Sequence, residues 1–364
     1  MRPEITLRGP DDVVAALPYQ LGYHPSESVV LVAIEGGCVA LVARCDLPPP
    51  GAEPRAAAAL VAPVLRERFD AVVLVGYEEA EQAGEPLLLV LVEQLERAGV
   101  QVLDVAVVRG GRRFSPLCDD EGCCPGAGVP LADPADVPAV AELVALGRAP
   151  LATRGDVPGL VEPDPAVAGR VAGLLGRRVG PPRRDTAVRA WSRVLDPAAG
   201  ELHLPPSWPP RVVADAAEAL ADIPVRDALV GWLAPGVLPR EVLDAGVVER
   251  FEGALPRWGG MGAWSRPDEE GEGARTRLLQ RLLWLCRALP DSHPGAAAAT
   301  CTVTAHVAWS DGDGAVARAA VDRALRLDPG YRLAVLLARL VDHGVRMSPR
   351  RPGAGGFGSL GRAG

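Results

Sequence analysis

The sequence predicts an α/β plus all-α protein: an N-terminal layered α/β domain with a mixed sheet, then a larger helical domain. Three observations predict it. Val- and Leu-rich runs alternate with helical spacing as far as about residue 108. Beyond residue 136 only three- and four-residue apolar periodicity remains. All seven Trp lie between Trp191 and Trp309, so the two halves differ in composition.

Element by element, residues 5–7 predict a short strand and 11–21 a helix capped by Asp11 or Asp12. Runs at 29–34 and 39–43, split by Glu35-Gly36-Gly37-Cys38, predict a hairpin. Residues 55–69 are helical, with Pro63 expected to kink the helix or delay its start. The uncharged run 71–76 predicts a strand covered on both faces. A helix at 86–98, closed by Gly99, leads to a strand at 101–108. Right-handed crossovers make these later strands parallel. Gly110-Gly111-Arg112-Arg113 predicts a strand-to-strand turn with solvated Arg, in preference to a phosphate contact.

A Cys-, Gly- and Pro-rich loop covers 115–135, followed by helices at 137–146 and at 165–175, the latter capped by Asp164 with Pro165 first. Eight helices follow, at 186–195, 212–220, 225–233, 240–255, 275–289, 296–309, 315–327 and 332–343. Ala305, Ala317, Ala324 and Pro329 have tetratricopeptide-like spacing. One such unit cannot bury its face alone, so this hairpin belongs inside a larger bundle. The expected domains are 1–135 (α/β, with the Cys loop), 136–182 (connecting helices and linker), 183–346 (helical) and 347–364 (a disordered Gly/Arg tail).

Composition excludes several chemistries. All 38 basic residues are Arg, and Asn is absent too. A phosphate-binding loop with its Lys, a Schiff-base Lys and a kinase site are therefore ruled out. The net charge of −8 argues against nucleic acid as a partner of the acidic body. No apolar run spans a bilayer and none of the signal-peptide kind follows Met1, so a soluble cytoplasmic protein with no membrane partner is expected. Seven Cys, an odd number, fit reduced thiols.

Several segments resemble a known family. They are Leu7-Arg8-Gly9-Pro10-Asp11, the stretch Leu17-Pro18-Tyr19-Gln20-Leu21-Gly22-Tyr23-His24-Pro25, and Ser28-Val29-Val30-Leu31-Val32. Cys118-Asp119-Asp120-Glu121-Gly122-Cys123-Cys124-Pro125, Val225-Arg226-Asp227 and Asp328-Pro329-Gly330-Tyr331 extend the likeness. Together they are similar to an actinobacterial family known as domain of unknown function 4192, over about residues 5–345. The resemblance implies no substrate, cofactor or catalytic residue. The chain departs from the pattern at Gly126-Ala127-Gly128 and at His306.

Two segments carry candidate chemistry. The thiols of Cys118, Cys123 and Cys124 enclose Asp119, Asp120 and Glu121. A compact structural turn is the favoured interpretation. Adjacent Cys diverge, a structural zinc wants four ligands, and nearby acids oppose a thiolate. Zinc binding and redox chemistry are the alternatives. The loop with Tyr19, Tyr23, His24, Glu27 and Ser28, ahead of a strand, is the candidate ligand rim. No Gly-x-Ser-x-Gly elbow surrounds Ser28. Arg226 and Asp227 read as an interhelical ion pair or a ligand clamp.

The function expected is a non-catalytic module that binds a small molecule or a protein through Tyr19, His24, Glu27 and Ser28, with Asp120, Arg226 and Asp227 as further ligand-binding candidates. The alternatives are a hydrolase or transferase that uses His24 or an Asp of the 118 loop as base, and a metal-binding module through the Cys loop.

Overall fold

The computed structural model describes residues 9–36, 38–118, 120–196, 207–256 and 272–347. It divides between Arg154 and Gly155 into two compact units. The strand expected at 5–7 and the tail from 348 lie outside the described residues.

The first unit runs α1 (Pro10–Leu21), β1 (Ser28–Glu35), β2 (Cys38–Asp46), α2 (Glu53–Glu67), β3 (Ala71–Tyr77), α3 (Glu85–Arg97), β4 (Gln101–Arg109), β5 (Arg112–Phe114), β6 (Val129–Pro130) and α4 (Pro138–Ala145). The strands form one sheet in the order β2-β1-β3-β4-β5-β6. Only β3 and β4 run parallel, joined through α3; every other neighbouring pair is antiparallel. The sheet is therefore mixed, and parallel pairing stops at β4.

Alternation along β1 and β3 decides the layers. Val30, Val32, Val73 and Val75 pack with Val13, Leu17, Val140 and Leu143 of α1 and α4. Val29, Leu31, Val72 and Leu74 pack with Leu60, Val64, Leu87 and Leu91 of α2 and α3. Because α4 is bound into this sandwich and Val171 and Leu175 into the helical core, residues 136–182 are shared between the units.

Two local expectations are corrected. Helix α2 runs through Pro63, which is buried in it. Helix α1 starts at Pro10 with Gly9 in the cap position and no side-chain cap; Asp11 lies inside the first turn, where its carboxylate accepts from Arg113 of β5.

The second unit is helical: α5 (Pro165–Ala172), α6 (Arg184–Val194), α7 (Pro210–Glu218), α8 (Ile223–Leu233), α9 (Ala245–Ala254), α10 (Glu272–Arg287), α11 (Pro294–Ser310), α12 (Gly314–Leu327) and α13 (Arg332–Asp342). Asp164 caps α5 through the Ala166 and Val167 amides, as its position before Pro165 predicts. The single helix expected at 240–255 is a 3₁₀ turn and then α9, restarted by Asp244, which accepts from the Val247 amide.

Every residue of α11 from Ala297 to Ala308 is buried, so this helix forms the centre of the unit. Its threonines stay satisfied by donating back to backbone: Thr300 to Ala296 O at 2.9 Å, Thr302 to Ala298 O at 2.7 Å and Thr304 to Thr300 O at 3.0 Å.

Among the described residues Arg323 of α12 is the most deeply buried charged side chain, 1% exposed. Its Nη1 donates to Cys286 O at 2.8 Å and to Val161 O, and its Nη2 to Leu289 O at 2.7 Å and Asp291 Oδ1 at 2.8 Å. One guanidinium thus closes the carboxyl end of α10 and ties it to the segment before α5. Replacing it by Met removes the donors and leaves those carbonyls buried. Arg323→Met is expected to lower the unfolding free energy by about 3–5 kcal/mol, measured by urea denaturation with the helical signal as probe. A loss below about 1 kcal/mol would show that the network contributes little.

Candidate functional site

The Cys loop is built outward from a two-residue turn. Gly110 and Gly111 both have positive φ, 56° and 74°, the conformation of the tight hairpin turn that joins β4 to β5. This turn sets Arg109 against Arg112 and Val108 against Arg113. Both arginines were expected to be solvated. Instead, Arg112 donates to Ala127 O and Gly128 O, each at 2.7 Å, and fastens the far end of the loop. Gly128 lies so close to the Phe114 ring that a Cβ there would sit 2.7 Å from it, so no larger residue fits.

Arg113 is buried and fastens the near end. Its Nε donates to Asp11 Oδ1 of α1 at 2.6 Å and its Nη1 to Ser115 Oγ at 2.6 Å. Asp104 also bears on this cation, and burial holds the Asp104 carboxyl above its usual range.

The loop then folds over one carbonyl. Asp120 O accepts from Cys123 N at 3.2 Å and Cys124 N at 2.7 Å. Two consecutive amides aimed at one oxygen curl the chain, and the adjacent thiols do not diverge as expected. Cys118 Sγ lies 3.4 Å from Cys123 Sγ, and Cys123 Sγ 3.5 Å from Cys124 Sγ. All three sulfurs fall within 4.8 Å of one another, and Cys123 is exposed.

The acids between the thiols turn away from them. Asp120 Oδ1 accepts from Gly122 N at 2.8 Å and Glu121 Oε2 from Gly126 N at 3.3 Å. Asp119 lies outside the described residues. The thiols consequently divide their proton load. Hydrogen bonds from Ser115 and Cys118, with Arg113 nearby, bring the Cys124 thiol below the ordinary 9.0. Hydrogen bonds with Cys118 and Cys124 push Cys123 up to about 12.

A tetrahedral zinc–thiolate site with Zn–S near 2.3 Å needs sulfurs about 3.8 Å apart. The three thiols fit such a set, or a softer ion's, and leave one coordination position for a ligand from outside the cluster. Among the described residues no other group of three His, Cys, Asp or Glu meets the same geometry.

The rim expected at Tyr19–Ser28 does not assemble. Tyr19 packs on the α1/α4 core, and His24 is exposed. Glu27 accepts from Glu79 N at 2.6 Å. Ser28 is fully buried in β1 and its Oγ has no partner, so no nucleophile–base pair exists with His24. At the carboxyl end of β3, where open α/β sheets take ligands, the Glu78 carboxylate is engaged by the chain itself. Glu78 Oε2 accepts from Gly84 N at 2.8 Å at the start of α3, and its Oε1 from Arg109 Nη1 at 2.9 Å. Asp11 holds the Cys loop at the first turn of α1, whereas Tyr19 lies about 12 Å further along the helix and His24 beyond its end. Asp120 is engaged within its own loop, its Oδ1 accepting from Gly122 N.

Arg226 and Asp227 belong to the second unit. Arg226 donates to Asp227 Oδ1 through Nε at 2.9 Å and Nη2 at 2.7 Å, and through Nη1 to Tyr331 Oη at 3.4 Å. The ion pair is thus within α8, and the interhelical link is Arg226 to Tyr331. His306 is buried behind them, its Nδ1 2.8 Å from Thr302 O; burial, aided by Arg226, lowers its pKa and keeps the ring neutral.

The family model described as a domain of unknown function (DUF4192) matches residues 10–255 and 262–348. The chain belongs to this family. No curated protein and no solved structure matches it. The matched part of this DUF4192 protein contains α1, the Cys loop and most of each unit. Among the described residues no helix is long and apolar enough to cross a membrane.

The Ser115 hydroxyl is the first cause of the lowered Cys124 thiol. Thiolate is the reactive form. Ser115→Ala is expected to move the iodoacetamide pH profile of Cys124 to higher pH, read by peptide mass spectrometry, with a lower rate at pH 8. An unchanged profile would show that Arg113 and the other thiols suffice.

Proposed function

We propose that this protein is a binding module for a thiophilic metal ion, with Cys118, Cys123 and Cys124 as ligands and zinc as the ion of first choice. One observation carries this reading: three thiol sulfurs within 4.8 Å of one another. The loop that holds them is fixed by backbone bonds and by Arg112 and Arg113, so the ligands need little rearrangement to bind. Soft thiolates select zinc and copper(I) over magnesium or calcium. The fourth position is filled by water or by a donor from a partner molecule, as at zinc sites with three protein ligands.

The cytoplasm of an actinobacterium is part of the proposal. The cysteines whose side chains are described are free, exposed Cys123 among them, which suits a reducing compartment, and the Arg-only basic set suits a GC-rich genome. The α11–α12 hairpin buries Ala305, Ala317 and Ala324 completely, which supports tetratricopeptide-like packing of these two helices.

Cobalt(II) titration of the reduced, untagged, full-length protein tests the reading. One ion per chain is expected, with an intense thiolate-to-cobalt charge-transfer band that zinc displaces. Cys123→Ser is expected to abolish the band while the far-ultraviolet circular dichroism stays unchanged. Saturation without that band, or equal binding by Cys123→Ser, would contradict it.

A further inference from the structure

Two features of the thiol cluster are not used by metal binding alone. Its sulfurs differ in access, since Cys123 is exposed and Cys118 and Cys124 are half-buried. They also differ in which of them can be joined covalently. Adjacent Cα atoms are held about 3.8 Å apart by a trans peptide, below the roughly 4.4–6.8 Å that a disulfide spans. Cys123 and Cys124 therefore cannot bond without distorting the backbone, although their sulfurs lie 3.5 Å apart. Cys118 and Cys123 are five residues apart and carry no such constraint, and their sulfurs are already 3.4 Å apart.

We infer that Cys118 and Cys123 form a reversible disulfide, driven by a small disulfide oxidant, and that this bond switches the metal site off. The inference rests on the metal-binding reading for its consequence, but the disulfide itself stands on geometry alone.

The chemistry is two thiol–disulfide exchanges. Cys123, the exposed thiol, attacks one sulfur of the oxidant through the minor thiolate fraction that its raised pKa leaves, because access and not acidity selects it. The oxidant's S–S bond breaks, one small thiolate leaves, and a mixed disulfide stands on Cys123. The Cys118 thiolate then attacks the Cys123 sulfur and expels the second small thiolate. The two protons given up by the cysteines end on the two departing thiolates. The protein dithiol is oxidised, and one small disulfide is reduced to two thiols. Two of the three ligands are consumed, and the single remaining thiol, Cys124, cannot hold zinc on its own.

The turn survives the change, because it is held by Asp120 O, Asp120 Oδ1 and Glu121 rather than by the sulfurs. The other close thiol pair, Cys286 and Cys301, is wholly buried in the helical unit. A small disulfide cannot reach it in the folded chain, so it serves as an internal control.

The test uses metal-free full-length protein and oxidised glutathione, followed by cleavage at acidic residues, which cuts at Asp120 and Glu121 between the two cysteines. Expected is a loss of two hydrogens with the Cys118 and Cys123 peptides joined. Cys124→Ser keeps this cross-link. Cys118→Ser instead accumulates glutathione on Cys123. A zinc-loaded sample releases its zinc on oxidation and takes it up again after reduction. A stable glutathione adduct on wild-type Cys123, or an internal disulfide formed equally well by Cys118→Ser, would overturn the inference. A cross-linked protein that keeps its zinc would overturn the switch. Because the cross-link is read without metal, a reduced protein that never binds zinc ends the metal reading and the switching role together, and leaves the disulfide to be judged separately.

Discussion

Arg113 is the contact on which the Cys loop depends. A guanidinium only 7% exposed is costly to keep charged unless its donors are met. Asp11 and Ser115 meet them at 2.6 Å each. Those two bonds join a helix start, a short strand and the first residue of the loop. Arg112, on the opposite side of the same strand, grips the loop's other end. The three thiols therefore sit on the margin of a rigid sheet, although the loop itself has almost no regular structure. A site with so little spread among its ligands needs this external bracing.

The distribution of the other polar groups is equally informative. Carboxylates that could act as bases are occupied with backbone amides: Asp120 with Gly122, Glu121 with Gly126, Glu27 with Glu79 and Glu78 with Gly84. The buried Ser28 hydroxyl faces no imidazole. His306 is kept neutral inside the helical unit, behind a guanidinium already committed to Asp227 and Tyr331. What these residues leave over is the sulfur cluster, whose partners are mostly one another.

Much of the fold was legible in the sequence, because its elements announce themselves locally. The Glu35-Gly36 break marked the β1–β2 hairpin, the uncharged run at 71–76 marked a doubly covered strand, and Asp164-Pro165 marked the start of α5. Two of the misses share one cause, partners far away in the chain. Asp11 looks like a helix cap until Arg113, 102 residues on, claims it. Gly-Gly-Arg-Arg looks like a solvated turn unless the hairpin register is followed. That register sets Arg113 opposite Val108, on the α1 side of the sheet, and it was the one signal available. The thiol convergence depended on two amides sharing the Asp120 carbonyl, a backbone detail that spacing does not encode. Tyr19, His24 and Ser28 looked like a site because they are close in sequence, but they fall in the last turn of α1, an exposed loop and the buried first position of β1.

The central claim is that three sulfurs of one loop hold the ion. X-ray absorption at the zinc edge of the zinc-loaded, reduced protein tests it most directly. Three sulfur scatterers at about 2.3 Å, with one lighter neighbour, are expected. A first shell of nitrogen and oxygen alone would contradict the account.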